Sequence, residues 1–258
     1  MARFKVCIEY EGTRFSGWQA QKNARTVQGE LIGAMKEIFN TDNFELYGSG
    51  RTDAGVHAIA QVAHLEVQTM LAPEIIRMKT NDLLPADINI LDVEKASRQF
   101  HARHDAIARS YLYQISRRRT AFGKRSVWWI KDRLNFELMQ RTAEIFEGMH
   151  DFRSFTADDP EQKSTKVKID QVLLQEHNHL ILMRITGSHF IWNLVRRLVG
   201  TIAEVGRGKL SINEIERFLQ VKSDVPAKLT APPSGLFLER VYYPGDTPLQ
   251  ILEPTLNI

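Results

Sequence analysis

Residues 48–57, Gly48-Ser49-Gly50-Arg51-Thr52-Asp53-Ala54-Gly55-Val56-His57, form a short polar turn between two runs that read as strands, and the turn holds an acid. With no Cβ, Gly48, Gly50 and Gly55 are expected to admit positive φ and to let a ligand come close. Arg51 precedes Asp53 by two residues, so in extended backbone both side chains project to one side and a cation stands beside the carboxylate. That pairing keeps Asp53 ionised as a nucleophile or base and offers a guanidinium to an anionic substrate. The same spacing also suits a plain glycine turn, with Asp53 capping its own backbone and Arg51 in solvent.

Before this turn, Phe4, Val6, Ile8 and Tyr10 alternate with Arg3, Lys5, Cys7 and Glu9, the period of a strand with one buried face. Thr26 is a natural N-cap for an amphipathic helix carrying Val27, Leu31, Ala34, Met35 and Ile38. After the turn, residues 62–67 alternate again, with His64 and Glu66 opposite Ala63, Leu65 and Val67. Pro73 suits the first turn of a helix running to about Leu84, Pro85 stops it, and residues 88–93 read as a strand. Further on, a helix from Asn135 carries Phe136, Met139, Ala143 and Phe146, and residues 167–175 and 180–186 pair as strands across a hydrophilic turn. A helix is predicted over 190–205, closed by Gly206, with Trp192, Val195, Val199 and Ile202 as its apolar stripe. Arg196 shares a face with Asn193, Gly200 and Ala203, small enough to admit another backbone, while Arg197 shares a polar face with Thr201 and Glu204. Ser211 and Glu214 form a capping box, and a last strand runs to Tyr243. Strands and helices interleaved on this scale predict an α/β (α+β) fold, with helices covering one face of a largely antiparallel sheet. A chain of 258 residues leans towards two domains.

The net charge is only +3, but its distribution is uneven. Between Arg98 and Arg125 eight Arg or Lys residues face a single acid, Asp105, so this window carries +7 and the remainder −4. A concentrated basic stretch is the footprint of a polyanion, with a solvated loop as the alternative. Within it, Arg117, Arg118 and Arg119 lack any apolar pattern and are candidate phosphate contacts. Tyr111 and Tyr113 fall on one face of a predicted strand, which reads by itself as a core face. His101, His104 and Asp105 suggest metal ligands, yet no further residue at suitable spacing completes a shell. The single Cys7 excludes an intramolecular disulfide and a Cys-rich zinc site, and it reads as a buried structural thiol. No apolar run is long enough to span a bilayer, and the N-terminus enters a strand pattern rather than a signal peptide, so a cytoplasmic protein is expected.

The string GRTDAGVHA at 50–58 resembles the signature of the TruA family of tRNA pseudouridine synthases. Further resemblances follow in family order. They are Tyr10-Glu11-Gly12-Thr13, Gly17-Trp18-Gln19 and the stretch 25–31; Phe100-His101-Ala102-Arg103 leading into Arg109-x-Tyr111-x-Tyr113; residues 150–155; Phe190 to Gly200; and Ala231 to Leu236. In the segment 190–200, Arg197 stands where the family motif has asparagine. The resemblance implies two similar domains, 1–105 with the catalytic loop and 106–258 completing the site, each an antiparallel sheet with helices on one face, their sheets joined around a central cleft. It implies an isomerase that converts uridine to pseudouridine at positions 38–40 of the tRNA anticodon stem-loop, working as a homodimer and without a cofactor. It assigns Asp53 as the catalytic carboxylate, Arg196 as the arginine paired with it, Tyr111 as the ring on the target base and Arg51 as a residue acting on the RNA. The rival readings are a structured-RNA-binding module without chemistry and a hydrolase using a metal at His101, His104 and Asp105.

Overall fold

The computed structural model describes residues 1–156 and 164–256. In chain order these form β1 (Ala2–Tyr10), α1 (Val27–Phe39), β2 (Phe44–Gly48), β3 (His57–Val67), α2 (Pro73–Leu83), β4 (Ile88–Lys95), β5 (Ala108–Ser116), β6 (Trp128–Trp129), α3 (Phe136–Glu144), β7 (Gly148–Asp151), β8 (Lys166–His177), β9 (Leu180–Gly187), α4 (Leu194–Gly206), α5 (Ile212–Gln220), α6 (Val225–Lys228) and β10 (Leu236–Tyr242). The fold is mixed α/β, and the chain makes two compact units.

The first unit comprises Met1–Ile107 with Phe237–Thr247. Its strands run in the order β4-β1-β3-β10, with β2 also paired to β3. The pairs β1–β3, β1–β4 and β2–β3 are antiparallel; β10 joins β3 in parallel at Phe237 and Leu238. The period-two pattern of β1 holds: Phe4, Val6, Ile8 and Tyr10 are all buried. Burying a side chain of this size is worth roughly 1.5–3 kcal/mol. The Thr26 hydroxyl caps α1 by accepting from Gly29 N, and Val27, Leu31, Ala34 and Met35 form the buried stripe below it. Strand β3 starts at His57, earlier than its alternation shows, because both its faces are covered in part: His57, Gln61 and His64 are buried as fully as Val62 and Leu65. A strand covered on both faces loses the hydrophobic alternation that marks its ends.

The second unit comprises Ala108–Leu236 with Pro248–Ile258. Strands β5-β9-β8-β7 pair antiparallel in that order, and the short β6 adds to β5 in parallel. The β8–β9 hairpin turns at Asn178 and His179, with Asn178 at φ 52°. Helix α3 packs on α4 and on β8, and Gly206 at the end of α4 leaves room for the Met139 side chain, since a Cβ there would lie 2.6 Å from its Cγ. The Ser211–Glu214 capping box forms as expected. The last residues have no periodicity, yet they are held: buried Arg184 donates to the carbonyls of Leu249 (3.1 Å) and Ile251 (2.6 Å), and Gln114 bonds both Thr255 N and its hydroxyl.

The predicted 190–205 helix is corrected at its start. Asn193 adopts left-handed backbone (φ 60°), so α4 begins at Leu194, and Trp192, placed on the apolar stripe by periodicity, is 53% exposed. The face assigned to Arg197 is corrected too. Arg197 and Thr201 are buried, and the Thr201 hydroxyl donates to Arg197 O at 2.6 Å instead of to water.

Candidate active site

In the first unit, residues 48–57 rest on the segment 10–18. Ser49 N donates to Val62 O, the Ser49 hydroxyl to Gln61 Oε1, and Gln61 Nε2 to Gly50 O, so one buried glutamine fixes the entry to the loop. The Tyr10 and Thr52 hydroxyls share a hydrogen bond of 2.7 Å, and Trp18 N donates to Thr52 O at 3.1 Å. A tight turn follows, with Val56 N donating to Asp53 O and Gly55 N to Phe15 O. Buried His57 accepts from Gly12 N through Nδ1 at 2.9 Å and stacks on Phe237, centroids 4.6 Å apart. Asp53 is thereby held half-buried between bonded backbone at Thr52 and Gly55, while Arg51 and Ala54 are exposed.

The three loop glycines have different reasons. Only Gly55 has positive φ, at 78°. Gly48 is required by contact, since a Cβ there would lie 2.7 Å from the Trp18 indole. Gly50 meets neither condition: its φ is not positive and a Cβ would enter open space. The sharper constraint was not visible in the loop at all. A Cβ on Gly12 would lie 1.9 Å from Val56 O, and one on Gly17 (φ 91°) 2.6 Å from Thr52 O, so both glycines let the backbone of the 48–57 loop approach. Arg51 forms no ion pair among the described residues.

The second unit carries Tyr111 and Arg196. Tyr111 lies on β5 opposite Ile185 and is half-buried, its ring edge-on to Phe190 with centroids 5.0 Å apart. Tyr113, on the same face, is wholly buried, and its hydroxyl donates to Pro232 O. Burial pushes that phenol well above its ordinary range. The two tyrosines therefore divide, Tyr113 as core and Tyr111 as the one whose ring is partly open. Arg196 Nε donates to Ala231 O at 2.7 Å and Nη1 to Asn193 Oδ1 at 3.2 Å, which fixes the plane of the guanidinium. Ala231 reaches it because Gly200 has no side chain: a Cβ there would lie 1.6 Å from Leu229 O. The expectation that small residues on this face admit another backbone is met by the 229–231 segment, whose Ala231 N also donates to Arg196 O.

The basic loop is not uniform. Arg117, Arg118, Arg119, Lys124 and Arg125 are all exposed, but Arg117 pairs with Glu176 and donates to Asn178 O at 2.8 Å, which ties it to the β8–β9 turn. His101, His104 and Asp105 are engaged locally. Asp105 Oδ2 accepts from His101 N, and His101 Nδ1 accepts from the amides of Arg103 and His104. Among the described residues no three His, Cys, Asp or Glu side chains are grouped so as to hold a metal ion.

A family model described as tRNA pseudouridine synthase matches residues 6–105 and 142–244, which include the Asp53 loop and the Arg196 helix. The chain belongs to the tRNA pseudouridine synthase family. Its relatives include proteins named tRNA pseudouridine synthase A from Acetivibrio thermocellus (37% identical, 94% of this chain and 100% of the relative), Geobacillus sp. (39%, 93% and 98%) and Aquifex aeolicus (37%, 93% and 99%). Among solved structures, one from an archaeal box H/ACA sRNP Nop10-Cbf5 complex aligns at TM-score 0.39 and 9% identity over 90% of this chain and 59% of that one, too loosely to carry an argument. Within the tRNA pseudouridine synthase family the GRTDAGVHA string is thus placed on a loop that the rest of its unit immobilises.

Proposed function

We propose that Asp53 is the reacting carboxylate of a tRNA pseudouridine synthase that acts on positions 38–40 of the anticodon stem-loop. As a member of its family the protein is an isomerase that converts uridine to pseudouridine in tRNA. The reaction breaks the N1–C1′ bond, turns the uracil and rejoins it through C5, so nothing is oxidised and nothing hydrolysed. A carboxylate serves this either by attacking C1′ or by taking a proton from C2′. The observation that supports Asp53 most is its setting: half-buried in a turn whose flanking backbone is bonded at Thr52, Asp53 and Gly55. A nucleophile fixed in that way loses little freedom on reaching the transition state.

Tyr111 is the ring that stacks on the target base, Arg196 the cation of the chemical step, and Arg51 an RNA contact beside the flipped nucleotide. Arg117, Arg118 and Arg119 with their loop take phosphates, Arg118 and Arg119 most directly because Arg117 already has a carboxylate partner. The protein is read as a cytoplasmic homodimer, with domains read from sequence at 1–105 and 106–258, although Phe237–Thr247 clusters with the first compact unit. No helix among the described residues is long and apolar enough to cross a membrane.

The test is tritium release from tRNA labelled at uracil C5. Asp53→Asn and Asp53→Ala should abolish release while tRNA affinity changes by less than about tenfold, roughly 1.4 kcal/mol. Continued release by a pure Asp53→Ala protein refutes the assignment, and binding without release in the wild type favours the RNA-binding module.

A further inference from the structure

Buried charges in proteins are held with partners, because an isolated one gives up its hydration for nothing. Arg197, the fourth residue of α4, departs from this. It is 7% exposed, and its Nε is buried without a hydrogen-bond partner. Three other arginines share a buried, unbonded Nε, namely Arg3, Arg153 and Arg207, but each has an acid beside it: Glu66, Asp151, and the pair Asp132 and Glu204. Arg184, buried still more deeply, spends its guanidinium on two carbonyls. Arg197 has neither acid nor carbonyl among the described residues, and the charge that acts on it is a second cation, Arg196. Burial and that neighbour together hold its guanidinium below the ordinary arginine range.

The helix end beside it is positive as well. Asn193 stands at the cap position but makes no capping bond, its Oδ1 being used by Arg196, and the first turn of α4 carries no acid. No acid of the helix's own first turn therefore offsets its dipole. Side chains on a helix lean towards its N-terminus, so Arg197 lies back along this same turn. His189 and Trp192, just before this turn, are exposed.

We propose that the first turn of α4 with Arg197 is a phosphate site, and that its occupant is a phosphodiester of the RNA substrate. Helix N-termini and buried guanidinium groups both favour a phosphate oxygen, and a polyanionic substrate supplies the partner that Arg197 lacks among the described residues. The motif that this segment resembles has a neutral asparagine here, where this chain has Arg197. The occupant rests on the tRNA reading; the anion site does not.

The experiment compares wild type with Arg197→Met, which keeps the stem and removes the charge, and Arg197→Lys, which keeps the charge. Filter binding of tRNA from 50 to 200 mM salt should show the Met variant weakened on the order of tenfold at the low end, its salt slope smaller by about 0.7–0.9, with Lys close to wild type. In parallel, inorganic phosphate at constant ionic strength should raise the melting temperature of wild type and not of the Met variant, which unfolds no earlier than wild type without phosphate. Equal slopes for wild type and Met overturn the RNA occupant; equal phosphate responses overturn the site itself. If wild type binds no tRNA the proposed function fails, and the phosphate melts still decide whether the first turn of α4 holds an anion.

Discussion

Replacing Gly12 with alanine tests whether a residue distant in sequence positions Asp53. The alanine methyl would lie 1.9 Å from Val56 O and 2.5 Å from Val56 C, both backbone atoms in the loop that holds Asp53. Carbon and oxygen approach to a little over 3 Å at closest, so the Val56 peptide has to retreat by more than about 1 Å. Overpacking of this kind costs roughly 1–3 kcal/mol. The retreat also disturbs the 2.9 Å bond from Gly12 N to His57 Nδ1, whose loss in a buried site adds about 1–3 kcal/mol. The expected destabilisation is thus about 2–6 kcal/mol, read from urea unfolding. Because Val56 N is bonded to Asp53 O, the displacement reaches the carboxylate. Misplacing a reacting group by about 1 Å lowers turnover on the order of a hundredfold. Tritium release per folded molecule, measured well below the melting transition, should therefore fall far more than tRNA affinity. A Gly12→Ala protein that unfolds like wild type and turns over normally would show that the 10–18 segment does not support the loop.

Tyr111→Phe keeps the ring against Phe190 and removes only the hydroxyl, so tRNA should bind as before while tritium release slows; normal turnover in the folded variant places that hydroxyl outside the chemistry. Arg118→Ala with Arg119→Ala should reduce the tRNA salt slope by about 0.7–0.9 for each phosphate no longer neutralised, whereas Arg117→Ala should change it less, because Glu176 already neutralises that charge. His64 is held at about 4 against an ordinary 6.5, chiefly by burial, and its Nδ1 accepts from Ala102 N, which needs the neutral ring. A depressed folded pKa means that the unfolded chain binds the proton first, so stability is full above about pH 6.5 and lost as pH falls towards about 4. The loss attributable to this residue is on the order of 3 kcal/mol. Urea midpoints between pH 4 and 7 should show His64→Gln losing less over that window than wild type, and parallel curves would remove His64 as the cause.

Local chemistry made several elements legible. Thr26, Asn135 and the Ser211–Glu214 pair mark helix starts where the structure has them, because a cap is a contact between residues three apart and is written in adjacent sequence, and Pro73 marks another through its fixed φ at the first helical position. The start of α4 was missed because one left-handed residue, Asn193, decides it, and the apolar residues before it still fit a helical period. Arg197 misled for a related reason: helical spacing grouped it with Thr201 and Glu204, but burial is set by what packs on a face, and only Glu204 of the three escapes it. Tyr111 and Tyr113 share a strand face, so alternation could not separate them. Pro232 and Gly235 close over Tyr113, which accounts for its complete burial.

The site itself shows why motif and mechanism are linked. Tyr10-Glu11-Gly12-Thr13 and Gly17-Trp18 look in sequence like an unrelated aromatic turn, yet each of their conspicuous residues has a partner in 48–57. The Tyr10 hydroxyl meets Thr52, Gly12 meets Val56 and His57, Gly17 meets Thr52, and Trp18 meets Gly48. The two stretches are one object, a loop and the platform that fixes it, and neither is intelligible alone. It follows that substitutions in the platform should resemble substitutions in the loop in their effect on turnover, at distances where no platform side chain need touch RNA. Changes at Gly50 should be mild by the same reasoning, since nothing in the structure occupies the space its side chain would take. The most glycine-like feature of the signature by eye is then the least constrained by packing of the protein itself, and any intolerance at Gly50 has to come from what binds there.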